Sequence, residues 1–315
     1  MHAISLTSHG PGGLEIRDVP DPVAAGHHTL LRVRSAGINF SDVHIVEGSY
    51  SFNPPLPYHP GIEAVGTTAD GRRMLGRARF GAWAELFVAE QVMEVPDFVS
   101  DRAALAVATQ GFTAWHLLRT MARITRRDTV AVMAAAGGVG SIAVQLAKAW
   151  GARRVIGAAS TPEKRAQAAA LGADVTVDST STDLGAALIE ANGGRLVDVI
   201  LEMHGGPQLD SALAALASCG RMVVYGSTSG EASTPIRPES LMAGTRSVAG
   251  FSAYNLVTER NEVFPETIVG LFGMIKKGQL DLETGQSYPY TEVARAVADM
   301  RGRVTTGKVS LDFAG

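Results

Sequence analysis

The chain has 315 residues, with 46% hydrophobic and 19% charged side chains, 35 glycines and one cysteine. This length favours two domains with separate cores, and the composition is typical of a folded α/β protein and excludes a disordered one. The formal net charge of -3 gives no basic excess for a nucleic-acid partner, and no apolar run is long enough to cross a membrane. Because Cys219 has no internal disulfide partner and the N-terminus lacks the pattern of a signal peptide, we expect a cytoplasmic protein.

The first hundred residues contain short β-like runs, such as 29–34 and 83–88, that clusters of glycine and proline interrupt. These runs predict an irregular, mainly β domain. From about Ala103 onward, apolar residues recur at helical spacing and alternate with compact strands that end in small-residue turns. This alternation predicts βαβ units and a parallel sheet.

The strands of the predicted parallel sheet follow one another from residue 129 onward. A strand at 129–133 runs through the segment 134–140, Ala-Ala-Ala-Gly-Gly-Val-Gly, into an amphipathic helix that Gly151 ends. A second strand at 154–158 precedes a helix for which Ser160 is the expected N-cap. Four further strands would complete a six-stranded doubly wound sheet, at 175–177, 197–201, 221–225 and 247–251.

The remainder of the chain, from about Ser252, contains a long helix up to Lys277 and a closing strand at 308–313. We expect this part to rejoin the first domain. The predicted fold class is therefore α/β, with a doubly wound parallel sheet of the Rossmann type in residues 105–251 and a mainly β domain formed by residues 1–104 and 252–315.

The segment 134–140 has the chemistry of a diphosphate site. A diphosphate needs backbone N–H groups at a helix N-terminus without side chains in the way, and Gly137, Gly138 and Gly140 meet this need. Ala135 stands where the usual fingerprint has its first glycine. A glycine-rich turn alone could be an ordinary tight turn, but the strand before it, the helix after it and the second strand about 20 residues on indicate a dinucleotide site.

The end of the second strand bears on which dinucleotide binds. An NAD site usually has Asp or Glu here for the ribose hydroxyls, whereas this chain has Ala158, Ala159 and Ser160. No carboxylate at this position would repel a 2′-phosphate, and Lys164 and Arg165 follow one turn into the next helix. We therefore expect NADP, as NADPH, with a solvated helix face as the alternative for the two basic residues.

Several motifs, in this order, resemble the medium-chain dehydrogenase/reductase superfamily and, within it, the zinc-independent quinone oxidoreductase branch that includes zeta-crystallin. The match spans nearly the whole chain and is carried by the segments 36–42 (Ala-Gly-Ile-Asn-Phe-Ser-Asp), 60–66 (Pro-Gly-Ile-Glu-Ala-Val-Gly), 110–115, 134–140, 225–226 and 306–308. The resemblance implies a GroES-like, mainly β catalytic domain beside a Rossmann domain that binds NADPH, with the active site in the cleft between them.

The same resemblance implies that no catalytic zinc is bound. Where zinc-dependent relatives have a cysteine and a histidine ligand, this chain has Asn39 and Ile62, neither of which can replace a thiolate or an imidazole. His44, His59 and Glu63 could form an unrelated metal site, but histidines in loops near prolines are usually solvent-facing or locally hydrogen-bonded.

The resemblance also assigns cofactor contacts. Asn39 and Thr113 would hydrogen-bond the nicotinamide end, and Lys164 would meet the 2′-phosphate. The diphosphate would be held by the turn residues Gly137, Gly138, Val139 and Gly140. The cofactor channel would be lined by Phe251 and Lys308, with core packing of Phe251 and a surface position of Lys308 as the alternatives. Further predicted cofactor contacts are Ala136, Ser160 and Tyr225.

Without a metal to polarise a carbonyl, hydride transfer favours a small electron-poor acceptor, such as a quinone or a conjugated carbonyl compound. Tyr50 is the candidate donor to the developing oxygen, and Asn39 is the other candidate catalytic residue. Tyr50 could instead be an aromatic wall against which the nicotinamide or the substrate packs. Asp42 is expected to orient Asn39 or the neighbouring backbone, and not to act as a general base.

The segment 67–81 is shorter than in relatives, which should trim the β domain and alter the wall of the cleft. Its arginines could attract an anionic substrate or, as we expect, solvate a loop; they are Arg72, Arg73, Arg77 and Arg79.

Three functions are compatible with these motifs. The first is the reduction of quinones by NADPH, the second is the NADPH-dependent reduction of enoyl thioesters in fatty-acid or polyketide metabolism, and the third is a non-catalytic role as an NADPH-binding sensor or structural protein. The intact glycine-rich runs favour an enzyme. Relatives commonly form homodimers by pairing the edges of Rossmann sheets, and the predicted strand at 247–251 could supply such an edge.

Overall fold

The computed structural model describes residues 1–50 and 54–313, and the chain divides into two compact units. The β unit comprises Met1–Thr109, Ile268–Lys276 and Asp281–Gly315, and the parallel-sheet unit comprises Gln110–Thr267 and Lys277–Leu280. Among the helices of the described residues, none combines the length and the apolar character that a bilayer crossing requires.

The strands within the described residues are β1 (His2–Leu6), β2 (Leu14–Asp18), β3 (Thr29–Ile38), β4 (Glu63–Thr67), β5 (Arg73–Arg77), β6 (Leu86–Ala89), β7 (Gln91–Glu94), β8 (Thr129–Val132), β9 (Arg154–Ala159), β10 (Val175–Asp178), β11 (Val197–Glu202), β12 (Leu216–Val224), β13 (Ser247–Gly250), β14 (Gly285–Pro289) and β15 (Lys308–Asp312). The α-helices are α1 (Phe40–Glu47), α2 (Asp101–Ala106), α3 (Phe112–His116), α4 (Gly138–Ala149), α5 (Pro162–Ala170), α6 (Leu184–Ala191), α7 (Gly206–Ala214), α8 (Pro238–Gly244), α9 (Ala253–Glu259), α10 (Val263–Lys276) and α11 (Val293–Arg301). Wider, π-helical turns at Val107–Gly111 and Leu117–Met121 flank α3.

The β unit is built on a sheet with the strand order β14-β15-β3-β4-β5-β7, in which β6 also pairs with β3. The β14–β15 pair is parallel and the other pairs of this sheet are antiparallel. Its core contains large side chains that are almost fully buried, among them Trp83, Phe87 and Leu31. This unit is the predicted mainly β domain of the GroES type.

The parallel-sheet unit contains a six-stranded sheet with the order β10-β9-β8-β11-β12-β13, and every pair in it is parallel. This is the order of a doubly wound sheet, as predicted. The central strand β8 is buried along its whole length, as expected for a strand that helices cover on both faces. The carboxyl ends of β8 and β9 present the predicted dinucleotide turn and the start of α5.

The division between the units differs from the predicted domain boundaries at residues 104 and 251. Thr109 remains with the β unit, where its hydroxyl donates a hydrogen bond to Glu63. The chain up to Thr267 stays with the parallel-sheet unit, because Thr267 Oγ1 bonds to His116 Nε2 at 3.0 Å and Phe264 packs on Phe112. Sequence periodicity locates a helix but does not show which core the helix packs against.

Two local predictions are wrong. Thr161, and not Ser160, caps α5, since the Thr161 hydroxyl accepts a hydrogen bond from Lys164 N at 3.3 Å. The predicted strand at 83–88 is also displaced: β6 begins at Leu86, while the Trp83 indole is buried and donates to the Gly37 carbonyl at 2.9 Å.

The segment 67–81 contains the turn and the second strand of a hairpin. Strand β5 pairs with β4 from Glu63 opposite Arg77 to Thr67 opposite Arg73. The Arg73 guanidinium is bound to the Asp101 carboxylate and to the carbonyls of Pro96 and Val99. The expectation of solvated loop arginines is therefore wrong for the two arginines that lie in β5.

Candidate functional site

The turn between β8 and α4 leaves main-chain N–H groups at the start of a helix. Ala134 adopts the left-handed region at φ 49°, and Gly137 N donates to the Ala134 carbonyl at 2.8 Å, so the chain doubles back before α4 begins at Gly138. The N-cap, Gly137, offers no side-chain acceptor to the first turn among the described residues. An uncapped helix start of this kind fits a diphosphate, because its N–H groups and the helix dipole both attract an anion.

The glycines of this turn are required for two different reasons. A Cβ at Gly140 would overlap the Ala134 carbonyl, so glycine here lets the first turn of α4 lie directly against the end of β8. A Cβ at Gly138 would overlap the side-chain amide of Gln110, whose Oε1 would be 2.6 Å away. The structure thus places Gln110, which we did not assign from the sequence, against the predicted diphosphate turn at 137–140.

The adenine end of the predicted site lies where β9 meets α5. Ser160 follows β9, and Lys164 lies in the first turn of α5. The Arg165 guanidinium is bound within the protein, since its Nη1 contacts Asp178 Oδ2 at 3.1 Å and donates to the Ala159 carbonyl at 3.2 Å. Hydrogen bonds from Thr180 and the charge of Arg165 lower the pKa of Asp178.

Asp178 ends β10, the neighbour of β9, so a carboxylate does lie beside this end of the sheet. The sequence of β9 alone did not reveal it, because adjacent strands of a parallel sheet are far apart in the chain. Its partner Arg165 balances its charge, so the Arg165 guanidinium is engaged within the protein.

Three further predicted cofactor residues of the parallel-sheet unit lie on α3 and after β12 and β13. Thr113 is buried on α3, and Tyr225 and Phe251 are half-buried. The Phe251 ring lies nearly parallel to the His116 ring, at 18° and 6.5 Å between centroids. Phe251 is thus packed on one side and retains some exposed surface.

His116 is fixed on both ring nitrogens. Nδ1 bonds to Thr120 Oγ1 at 2.7 Å and Nε2 to Thr267 Oγ1 at 3.0 Å. Burial lowers the pKa of His116 to about 4, so the ring that faces Phe251 is neutral at physiological pH. Burial and the charge of Glu202 raise the pKa of Tyr225, whose phenol therefore stays protonated.

In the β unit, Asn39 is held by a buried ion pair. It lies between β3 and α1 and is 5% exposed. Its Nδ2 donates to Glu63 Oε1 at 3.0 Å, and its Oδ1 accepts from Lys308 Nζ at 3.2 Å. Lys308 and Glu63 bond directly to each other, and both side chains are 0% exposed. The carboxamide of Asn39 therefore has one fixed orientation.

The structure corrects the alternative of a surface position for Lys308. Its ammonium group also donates to the Ile38 carbonyl at 3.4 Å, so three protein acceptors surround it. Gly37 makes room for this arrangement, since a Cβ there would overlap the Glu63 carboxylate and come within 2.7 Å of Lys308 Nζ. From the sequence we missed Glu63 as the partner, although a carboxylate within a buried apolar strand needs a positive or hydrogen-bonding neighbour.

Asp42 orients the backbone, which was one of the two roles expected for it. Its Oδ2 accepts from Asn39 N at 2.8 Å at the start of α1. Burial raises the pKa of Asp42 to about 7, the charge of Glu63 adds to the rise, and the hydrogen bond from Asn39 and the charge of Lys308 oppose it. Asp42 and Asn39 are thus parts of one buried polar network.

Tyr50 follows α1 and is 37% exposed. Partial burial and the nearby Asp42 raise the pKa of its phenol, so the hydroxyl keeps its proton and can donate it in a hydrogen bond.

The histidines considered for a metal site are engaged locally. His44 Nδ1 bonds to Ser49 Oγ at 2.9 Å, and His59 Nδ1 lies 3.2 Å from Ser5 Oγ and 3.3 Å from the Ile4 carbonyl. Across residues 1–50 and 54–313, no group of three or more His, Cys, Asp or Glu side chains could hold a metal ion.

Comparisons with known proteins agree with the two-unit description. A family model described as the alcohol dehydrogenase GroES-like domain matches residues 25–81, and one described as zinc-binding dehydrogenase matches residues 138–270. A quinone oxidoreductase of Pseudomonas aeruginosa is 30% identical over 319 residues, which cover 96% of each chain.

Two further proteins are similar over most of their length. Prostaglandin reductase-3 of Bos taurus is 30% identical over 323 residues, covering 94% of this chain and 84% of that protein. The crystal structure of the Escherichia coli quinone oxidoreductase in complex with NADPH superposes with a TM-score of 0.92 at 28% identity, covering 99% of this chain and 100% of that one.

Proposed function

Because the chain belongs to the quinone oxidoreductases of the medium-chain dehydrogenase/reductase superfamily, we propose that it binds NADPH and reduces a quinone or another conjugated carbonyl compound. The uncapped start of α4 behind β8 is the observation that carries the proposal, since this turn fits the diphosphate of a dinucleotide. NADPH, when bound, supplies the hydride. The protein residues bind and orient the reactants and stabilise the charge that develops on the acceptor.

The residues at 136–140 would hold the diphosphate through their main-chain N–H groups. Lys164 and Ser160 would bind the 2′-phosphate, while Arg165 would neutralise Asp178 beside it. Thr113, Tyr225 and Phe251 would contact the nicotinamide half, and the neutral His116 ring would hold Phe251 in place.

Asn39 would contact the nicotinamide end with its carboxamide. An amide nitrogen has two hydrogens, of which one is used by Glu63. Lys308 would act on the cofactor only through Asn39, because its ammonium group already has three protein acceptors. In this proposal Lys308 is a positioning residue.

Tyr50 would donate a hydrogen bond to the oxygen of the acceptor as negative charge develops there. Such donors contribute most when they are already oriented before the reaction. The reaction would need no zinc, because Asn39 and Ile62 stand at the positions of two zinc ligands in the zinc-dependent relatives. Metal analysis of purified protein tests this point, and one equivalent of zinc per chain would contradict it.

Saturable quenching of protein fluorescence by NADPH, with much weaker binding of NADH, is the expected result for the cofactor. The absence of any saturable fluorescence or calorimetric signal with NADPH would refute the proposed function.

A quinone is the first candidate acceptor, in keeping with the relatives that bear this name. An enone or enoyl thioester is the second, because its carbon–carbon double bond is conjugated to a carbonyl that can take up the negative charge. The two reactions differ because reduction of a carbon–carbon double bond also adds a proton to carbon. Steady-state assays with a 1,4-naphthoquinone and with a trans-2-enoyl thioester would separate them, and inactivity towards both would argue against each.

A homodimer that pairs two copies of β13 is part of the proposal. This strand is the last of its sheet, so one row of its main-chain groups is not used by the sheet itself. Light scattering should give twice the mass of one chain. Val248→Pro should lower the measured mass, because proline cannot donate a main-chain hydrogen bond to a paired strand. We also propose the cytoplasm as the location, because the single Cys219 is an exposed free thiol.

A further inference from the structure

We propose that Gln110 binds the ribose on the nicotinamide side of the cofactor, by accepting a hydrogen bond from a ribose hydroxyl. This inference rests on the proposed binding of NADPH and adds to it a residue that helps to hold the reactive half of the molecule.

The first observation is a buried polar atom without a partner. Gln110 is only 7% exposed, and its Oε1 has no hydrogen-bond partner in the described part of the chain. A buried amide oxygen without a partner costs free energy, and native proteins rarely leave one unless a ligand or a bound water meets it. The side chain is therefore ready to accept from a molecule that the protein binds.

The second observation is where this oxygen lies. The carboxamide of Gln110 packs directly on Gly138, the first residue of α4, so closely that a Cβ at Gly138 would overlap it. The acceptor thus stands at the helix start that fits the diphosphate. The π-helical turn at Val107–Gly111 ends at this point, and turns of this type often occur at functional sites.

The chemistry of an acceptor selects the ligand atom. An amide oxygen does not bind a phosphate oxygen, but it can accept from a hydroxyl group, and each ribose joined to the diphosphate carries hydroxyls. Gln110 Oε1 is therefore suited to a ribose next to the diphosphate.

The position of α3 indicates which of the two riboses lies near Gln110. Gln110 leads into α3, whose last residue, His116, packs on Phe251 after β13. The strand β13 lies at the opposite edge of the sheet from β10 and Asp178, beside which the 2′-phosphate would bind. Because a dinucleotide runs across the carboxyl ends of the strands, Gln110 lies on the nicotinamide side.

Gln110→Met tests the inference, because it keeps the volume and removes the acceptor. Gln91→Met is the matched control, since Gln91 on β7 in the β unit also has a buried amide oxygen without a partner. We expect Gln110→Met to weaken NADPH binding about fivefold to tenfold, the effect of one lost hydrogen bond. Gln91→Met should change the dissociation constant of NADPH less than about twofold, which is close to the smallest difference that a titration resolves.

Adenosine 2′,5′-bisphosphate serves as the second probe, because it contains the adenosine half only. Gln110→Met should bind it as wild type does, which also shows that the variant is folded. Equal losses for NADPH and for this fragment would overturn the assignment to the nicotinamide side, and unchanged NADPH binding in Gln110→Met would overturn any role in cofactor binding. If wild-type protein failed to bind NADPH, both this inference and the proposed function would be refuted, whereas the other two results refute the inference alone.

Discussion

Lys308 and Glu63 form an ion pair that is completely shielded from solvent, on two strands that flank β3 on either side. Asn39, which follows β3, bonds to both partners. Placing two charges in a core is costly unless each is compensated. Here the two charges compensate each other, and their combined geometry fixes the side chain that we propose contacts the nicotinamide.

Breaking this pair from one side should destabilise the protein strongly. Lys308→Met would leave the Glu63 carboxylate buried with only neutral donors, and we expect a loss of about 3–5 kcal/mol in the free energy of unfolding. The double variant Lys308→Met/Glu63→Gln should recover much of this loss, because neither charge of the pair remains buried. Urea denaturation at pH 7 measures both, and strictly additive effects of the two substitutions would contradict the pairing.

Asp42 should make stability depend on pH. Its pKa is about 7 in the folded protein and 3.8 ordinarily. Between these values the unfolded chain releases the proton while the folded chain keeps it, so wild-type stability falls as pH rises from about 4 to about 7 and is then level. Asp42→Asn lacks this titration, so its free energy of unfolding should rise by about 2.5 kcal/mol relative to that of wild type as the pH goes from 5 to 8. Denaturation curves of both proteins across this pH range measure the difference in the free energy of unfolding. A difference that does not change with pH would contradict the raised pKa of Asp42.

Lys164 and Arg165 should contribute differently to cofactor choice. Removing the positive charge of Lys164 in Lys164→Gln should weaken NADPH binding about tenfold, the range of one charge-assisted hydrogen bond, and should leave NADH binding unchanged. Arg165→Gln should cause a smaller loss, because the Arg165 guanidinium is bound to Asp178 and acts only by neutralising that carboxylate. Fluorescence titration with NADPH and NADH measures the ratio of the two dissociation constants in each variant. A larger loss of NADPH preference in Arg165→Gln would reverse the assignment.

Tyr50→Phe tests the proposed donor. If the phenol stabilises the developing oxygen, kcat should fall roughly tenfold to a hundredfold while KM changes little. Tyr58→Phe is a suitable control, because Tyr58 is a second tyrosine of the β unit, and burial and the charge of Asp42 raise its pKa as well. An unchanged kcat in Tyr50→Phe would instead favour the role of an aromatic wall.

The contact between Gly138 and Gln110 predicts coupling between the two positions. Gly138→Ala would force its methyl group against the Gln110 carboxamide and should cost about 1–3 kcal/mol of stability, the usual cost of overpacking. In the Gln110→Ala background the methyl group has room, so the same substitution should cost clearly less. Thermal denaturation of wild type, the two single variants and the double variant measures this coupling. Equal costs in both backgrounds would show that the two residues do not press on each other.

Local patterns in the sequence predicted much of this structure. The alternation of apolar runs with small-residue turns predicted the six parallel strands, because each strand and helix is specified by neighbouring residues. The glycines at 137, 138 and 140 predicted the dinucleotide turn for the same reason, since the strand, turn and helix that define it are contiguous in the chain.

What local patterns could not provide depends on contacts between distant residues. Lys308 could be a surface or a channel residue by sequence, and only the packing of β15 against β3 brings it within reach of Glu63, 245 positions away in the chain. Arg165 resembled Lys164 until β10 placed Asp178 beside it. The sequence alone therefore determined which elements form and where a diphosphate fits. The tertiary structure alone decided which charges are neutralised, because a charge is neutralised by whatever folding brings within a few ångströms of it, and separation along the chain says nothing of that distance.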